Sequence, residues 1–458
     1  MNIRLLNIIT CLFITAFIAT SCLEDEEFEI EYSSDASITS FKINNIDTKY
    51  PATVNGKDTT LTTTVTGSNY PFAIDQNQGL IYNVDSLPVG TDVSKVVAEI
   101  KADGYVFIVA ETDSIWEEGD SLDFRKPIQF KVMSMQGSYG RTYTAKINVH
   151  QQDPKEMGWA RVESNFSTDI RSQKAVYFNQ QILVFADLEE QVAVTMTGQN
   201  DGVGWTNLQP IDIPVKADYS SVIVWGEHLY ILAGNDLYCS SNGINWVPTE
   251  SKQKISQLVA AIDEKEVTKL IAITVDNLYA ETSNGTEWAT YSTLPADFAK
   301  GTYSYASYPL TTNNKLHRIV LMGENNVEND SANIVWSQLA TEHEWTPLTM
   351  EGNKHECPNM ENAGMIYYNN LLYSFGGPGK NGSSVKAFEY FYASNDNGIG
   401  WEKVTKDVMF PEEFATLYTQ AEGNYSFVVD DNQFVWFMWG KTGEVWRGRI
   451  NKLGFVNP

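Results

Sequence analysis

Carboxylates are abundant in this sequence, but few residues have the spacing that catalysis needs. Asp and Glu number 58 against 32 Lys and Arg, a formal net charge of -26. Some carboxylate pair could act as acid and base, yet spacing selects none, and any single one reads first as a solvated surface charge. His150, His228, His317, His343 and His355 form neither HExxH nor a paired metal spacing. Trp439-Gly440-Lys441-Thr442-Gly443 has the Gly-Lys-Thr of a phosphate loop, but Val435 stands where the first Gly is needed and no helix follows. No catalytic residue, metal or cofactor is therefore assigned. The chemistry that fits is binding. Tyr303, Tyr305, His355, Trp439 and Lys441 offer aromatic platforms beside amides and carboxylates, which suit the apolar C–H faces and dense hydroxyls of sugar rings. For Trp439 the alternative is ordinary inner-strand core.

These five can meet only if the chain builds a face for them, and a repeat supplies one. Tryptophans recur at Trp159, Trp205, Trp246, Trp288, Trp345 and Trp401, spaced 46, 41, 42, 57 and 56 residues apart. Four of them close similar segments: DLYCSSNGINW, NLYAETSNGTEW, EYFYASNDNGIGW and, less closely, NIVWSQLATEHEW. After each Trp come a short strand, a variable loop and two apolar runs, SSVIVW and LYILAG in the second repeat. Four short strands at this period predict a β-propeller blade, and six tryptophans predict a six-bladed β-propeller over residues 155–458. The last repeat ends in EVWRGRINKLGF without a fourth strand, so the strand of Trp159 is expected to complete it and remove an exposed edge. The tryptophans themselves are expected in the core. A ligand face would be made by the lead-in to each blade and the turn between its second and third strands. Segments 323–333, 349–362 and 376–388 are the long ones there, and long loops are more often functional or disordered than structural.

Ser394, Asp396, Gly398 and Trp401 fit the pattern S-x-D-x-G-x-x-W and resemble the Asp-box of sialidases and related propellers. Ser240–Trp246 and Thr282–Trp288 are copies one residue shorter. Asp396 is expected to accept backbone N–H bonds and Gly398 to take a positive φ, holding a turn between third and fourth strands. The resemblance implies a fold and no catalysis, because the box lies away from the ligand face. Sialidases use an arginine triad, a Tyr/Glu nucleophile pair and an Asp acid, the first arginine lying in Phe/Tyr-Arg-Ile-Pro. Phe124-Arg125-Lys126-Pro127 falls in the preceding domain, and Arg161, Arg171, Arg318, Arg447 and Arg449 have no matching context. Kelch-type oxidases carry a Gly-Gly pair in every blade, whereas Gly376-Gly377 stands alone here.

Residues 35–152 read as a separate all-β domain. Apolar and polar residues alternate in ITSFKI (38–43), KVVAEI (95–100), PIQFKVM (127–133) and RTYTAKINV (141–149). Turn-formers lie between: Asn55-Gly56, Pro88 with Gly90, Gly119-Asp120, and Gly137 with Gly140. About seven short strands suit an Ig-like β-sandwich. The stretch LDFRKPIQFKVMSMQGSYGRTYTAKINV resembles the last strands of Ig-like modules near lipoprotein anchors, which implies a spacer.

The first residues suggest an address. Met1–Asn7 carries one Arg, Leu5–Ile18 is apolar, and Ala19-Thr20-Ser21 precedes Cys22, which describes a signal peptide over residues 1–21. The apolar run is short for a retained membrane helix, the alternative, which needs about 20 residues. Ala19-Thr20-Ser21-Cys22 resembles the lipobox of bacterial lipoproteins, implying acylation of Cys22 and a stable anchor. Glu24, Asp25, Glu26, Glu27 and Glu29 make residues 22–34 an acidic tether. The run also resembles the acidic export signal of Bacteroides-type surface lipoproteins, implying the outer leaflet of the outer membrane, with a periplasm-facing lipoprotein as the alternative. Of four cysteines, Cys11 leaves with the signal, and Cys239 and Cys357 make no disulfide framework.

As a whole the chain resembles a domain-of-unknown-function family of Bacteroides-type surface lipoproteins with an Ig-like N-domain and a Kelch or Asp-box propeller. For such families function is mostly unassigned, and the first expectation for this chain is a lipid-anchored monomer whose propeller binds an extracellular ligand, first of all a glycan. A protein-interaction or adhesion scaffold is the alternative, and a glycan-active hydrolase of sialidase-like type a second. With no basic stripe to neutralise phosphates, nucleic acid is not expected, and the membrane is contacted only through the lipid.

Overall fold

The structure, a computed structural model, describes residues 33–54, 57–198, 202–298, 303–348 and 352–455. The signal peptide, Cys22, the acidic run, the Asn55-Gly56 turn and the first residues of segment 349–362 lie outside the described residues. The chain divides into two compact units at Gln152/Asp153.

The first unit has two sheets over one core and a hairpin of its own. Ile38–Ile43, Val96–Ala102 and Ser121–Leu122 form one sheet. Phe72–Asp75, Leu80–Asn83, Tyr139–Lys146, Ile128–Met133, Tyr105–Ile108 and Ser114–Ile115 form the other, in that spatial order. Period-two alternation explains the packing: Ile38, Phe41 and Ile43 of one strand and Val96, Ala98 and Ile100 of its partner are buried. They face Phe130, Val132, Tyr143 and Ala145 of the second sheet. Phe41 lies 4.9 Å from Phe72 and 6.3 Å from Phe130, and each such side chain contributes about 1.5–3 kcal/mol on burial. Leu80–Asn83 pairs in parallel with Tyr139–Lys146. Eleven strands lie within the described residues of this unit, more than the seven expected. Part of the excess is the hairpin Ile46–Val54/Lys57–Val65, whose IDTKYPATV and KDTTLTTTV are Thr-rich and lack the apolar alternation that marks a half-buried strand.

The second unit consists of six antiparallel four-stranded sheets. Their first strands are Gln173–Phe178, Ala217–Trp225, Ile255–Glu264, Tyr303–Leu310, Gly364–Tyr368 and Tyr425–Val429. Each first strand neighbours the next, and the first and last also meet. Every adjacent pair of sheets shares its own apolar cluster, the sixth with the first included. The repeated tryptophans fill these seams: Trp246 lies 6.0 Å from Phe185 of the preceding sheet, and Trp205, Trp345 and Trp401 are equally buried. Trp159 and Trp288 are only partly buried.

The sixth sheet contains Tyr425–Val429, Val435–Trp439 and Glu444–Ile450, completed by Met157–Val162 from the start of the unit. Trp159 stands opposite Gly448, where a Cβ would come within 2.5 Å of the indole. Its Nε1 donates to Met409 O at 2.7 Å. One helix, Glu413–Gln420, interrupts the β-structure before this sheet. Phe414, Leu417 and Tyr418 form its buried face, Pro411 precedes its first turn, and Glu422 and Gly423 end it with positive φ (53° and 76°). Among the described residues no helix is long and apolar enough to cross a membrane.

Candidate functional site

Each of several first strands opens on polar residues and continues apolar: QKAVYF, ADYSSVIVW, ISQLVAAIDE, YSYASYPL and YSFVV. The apolar halves enter the seams. The polar beginnings converge around one cavity of about 410 Å³ to which all six sheets contribute. Its walls include Gln173 and Lys174, Asp218 and Ser220, Gln257, Tyr303 and Tyr305, Asn362, and Glu422 and Ser426.

Some of these groups are held by the protein. Gln173 Nε2 donates to Met438 O at 2.7 Å, and Asp218 Oδ1 accepts from Ser220 N and Oγ at 2.9 and 2.7 Å. Tyr425 OH donates to Asn362 O at 2.6 Å. Others are not. Gln173 Oε1, Gln257 Nε2, Tyr303 OH and Ser426 Oγ are buried without a protein partner, and they come from four different sheets. The Gln257 amide lies near enough to the Tyr303 phenol to favour its anion slightly, but burial dominates and pushes that phenol far up; no bond of proper distance and angle joins them. Burial likewise pushes Tyr305 up to about 12. Lys174 Nζ donates to Ser220 O at 2.5 Å. Desolvation brings its ammonium down to about 8, with Asp218 opposing the fall. The residue is partly exposed and lines the cavity.

Of the five residues expected to bind, the cavity brings together Tyr303 and Tyr305. Lys441 sits beside it, paired with the cavity residue Glu422. Trp439 is core: it is 0% exposed, with Phe388, Phe414 and Tyr425 rings at 5.2–5.5 Å, so it cannot present a platform to a ligand. His355 also lies elsewhere. Its carbonyl accepts from Trp401 N at 2.7 Å, placing it against the Ser394–Trp401 turn. In that turn Asp396 accepts Gly400 N–H at 2.8 and 3.0 Å, Ser394 Oγ accepts Gly398 N–H at 2.8 Å, and Trp401 Nε1 donates to Gly398 O. Gly398 has φ 96°, and the turn joins the third and fourth strands of its sheet. In the shorter copies Asn242 and Asn284 take the place of Asp396.

The long segments expected to carry ligand contacts are bound to one another, and Asn362 of segment 349–362 also lines the cavity. Asn359 and Asn381 both donate Nδ2 to Asn325 O at 2.7 Å. Lys380 pairs with Glu324 at 3.0 Å, and bridges join Ala332 to Pro358 and Met360 to Gly379. Asn325, Asn333 and Asn359 are buried, so these loops form a wall.

A second depression, about 640 Å³, lies between the third and fourth sheets. At its edge Glu281 accepts from Lys269 (2.7 Å), Tyr279 (2.9 Å) and Tyr291 (3.1 Å), and His343 Nδ1 lies 2.9 Å from its Oε1. His343 stacks on Tyr291 with ring centroids 4.2 Å apart. Burial pushes the Glu281 carboxyl up, yet the bond and charge of Lys269, with Tyr279 and His343, outweigh it and leave the pKa lowered.

Comparison with known proteins places the chain by sequence. Several solved structures resemble it at low identity. A DUF4623 family protein from Bacteroides eggerthii aligns over 90% of this chain and 98% of its own at 13% identity and a TM-score of 0.36. Virginiamycin B lyase from Staphylococcus aureus aligns over 64% and 99% at 10% identity and 0.38. The SapL1 lectin, solved with alpha methyl fucoside, aligns over 60% and 90% at 13% identity and 0.36. Likenesses at these scores bear on neither activity nor ligand. No curated protein matches the chain. Residues 41–147 match the N-terminal domain of the domain-of-unknown-function family DUF6242, and residues 153–458 match the DUF6242 beta propeller domain. With both units matched in order and the larger covering more than half of its length, the chain belongs to the DUF6242 family and ends in a β-propeller.

Proposed function

We propose that this protein is a surface lipoprotein of the outer membrane whose propeller binds the end of an extracellular glycan in the central cavity. The six sheets are its six blades, the Ser394–Trp401 turn is an Asp-box, and the N-terminal unit is an Ig-like spacer above a lipid on Cys22. One observation carries the binding site: Gln173, Gln257, Tyr303 and Ser426, from four sheets, line one cavity, and each has a buried polar atom with no well-formed protein hydrogen bond. Buried polar groups are ordinarily satisfied, and each orphan costs about 1–3 kcal/mol. A ring of donors and acceptors matches a molecule dense in hydroxyls. Binding is favoured over hydrolysis because the carboxylates that line the cavity, Asp218 and Glu422, are each already engaged.

The test is a glycan array followed by titration calorimetry on the full chain in detergent. Gln257→Leu with Tyr303→Phe should lose at least about fivefold in affinity, as two lost hydrogen bonds of about 0.5–1.5 kcal/mol each imply. Asp396→Asn should bind like the wild type. Array silence, or equal loss in both variants, would remove the cavity as the site. For the anchor, Cys22→Ala should abolish palmitate labelling and sedimentation with membranes; a mutant that still sediments contradicts the lipoprotein assignment.

A further inference from the structure

The cavity holds an ammonium that forms no contact ion pair among the described residues. Lys174 donates to the neutral carbonyl of Ser220, and among the described residues it joins no ion pair. The charged and titratable groups around it are accounted for. Asp218, on the neighbouring first strand, favours the ammonium through space without pairing with it, and its Oδ1 accepts from Ser220 N and Oγ. The phenols of Tyr219, Tyr303, Tyr305 and Tyr425 are all pushed up by burial and stay neutral. At the rim Arg171 pairs with Glu189, and Glu422 with Lys441. A neutral ligand filling the cavity would strip more water from Lys174 and give nothing back, which is costly for a charge. A carboxylate would strip the same water and supply the missing partner.

We propose that the cavity selects an acidic sugar, a uronate at a glycan terminus, with its carboxylate on Lys174 Nζ and its hydroxyls on Gln173, Gln257, Tyr303 and Ser426. The proposal rests on the cavity being a sugar site. The chain's net charge of -26 does not oppose it at close range. Surface charges beyond about 8 Å are largely screened at physiological salt, while a buried contact is screened much less.

The experiment titrates full-length protein in detergent with a panel of uronate oligosaccharides, their carboxyl-methyl esters and neutral oligosaccharides of the same linkage. An acid should bind at least about tenfold tighter than its own ester at pH 6.5, as expected when a carboxylate supplies the partner of a desolvated ammonium. The site needs the protonated amine and the ligand its ionised carboxylate, so affinity for the acid should be flat from about pH 5 to about pH 8 and fall by up to about tenfold per pH unit above it. Lys174→Met, with folding checked by thermal melting, should erase the preference for acid over ester. Lys174→Arg should keep it and flatten the pH profile to pH 9. If acid and ester bind alike, or only neutral sugars bind, the proposal is overturned while the sugar site stands. If no oligosaccharide of any kind binds, both fall.

Discussion

The propeller contains two polar clusters that close in opposite ways. Around Glu281 each carboxylate oxygen meets two polar groups, and the buried Lys269 has both Glu281 Oε2 and Glu342 O. This cluster ties second and third strands of one sheet to the third-to-fourth turn of the next. Around Lys174 the ammonium has one carbonyl, and four other polar atoms have no protein partner. Both clusters cost desolvation, but one recovers it within the fold. A network complete by itself holds sheets together, and under the proposed function an incomplete one is kept for something from outside.

The comparison breaks most easily at Glu281. Glu281→Ala leaves Lys269 buried and unpaired, and loss of about 3–5 kcal/mol is expected by chemical denaturation, with ligand affinity unchanged. A neutral effect would mean that the cluster is no clamp. The pH dependence follows in sign. Because the Glu281 pKa is lowered, its contribution is complete above the unfolded value of about 4.3 and is lost as pH falls through the folded value, so acid unfolding should be less steep in the variant.

Lys174→Met should move the other way and gain about 1 kcal/mol at pH 7, as removal of a desolvated charge does. With the folded pKa near 8 and the unfolded near about 10.4, the cost is full below 8 and relieved across that interval. Wild-type stability from this group therefore rises with pH there, and the variant's does not. Loss of stability in the variant at pH 7 would show that the fold, and not a ligand, needs the amine. The smallest effect is expected at Ser426→Ala, within about 0.5 kcal/mol, because the hydroxyl makes no protein hydrogen bond to lose. A larger destabilisation would assign it to the structure.

What the sequence reveals depends on how locally each feature is made. The turns before the tryptophans are legible because Ser394, Asp396, Gly398 and Trp401 bond one another within eight residues. The cavity is not, because Gln173, Gln257, Tyr303 and Ser426 belong to separate repeats and meet only once the sheets are arranged. A signal existed in the polar openings of the first strands, QK, SQ, YSY and YS, read against the same position in each repeat. Trp439 misleads because an aromatic beside Gly440 and Lys441 looks like a rim. The helix Glu413–Gln420 covers it through Phe414, and that helix was itself readable from the spacing of Phe414, Leu417 and Tyr418. His355 misleads because its segment runs back to the Ser394–Trp401 turn before reaching Gly364–Tyr368.

The pairing of Met157–Val162 with Glu444–Ile450 also sets a timetable. Asn451 Nδ2 reaches Asp153 O across 298 residues of sequence, so the partner of the unit's earliest strand is synthesised only after the other described strands of the six sheets. Contacts of such separation form late and slowly. Until that moment the ring has two open edges, and an unpaired edge is where another chain can add. The hazard of this fold therefore belongs to the nascent protein and ends abruptly, when a single final strand finds its place.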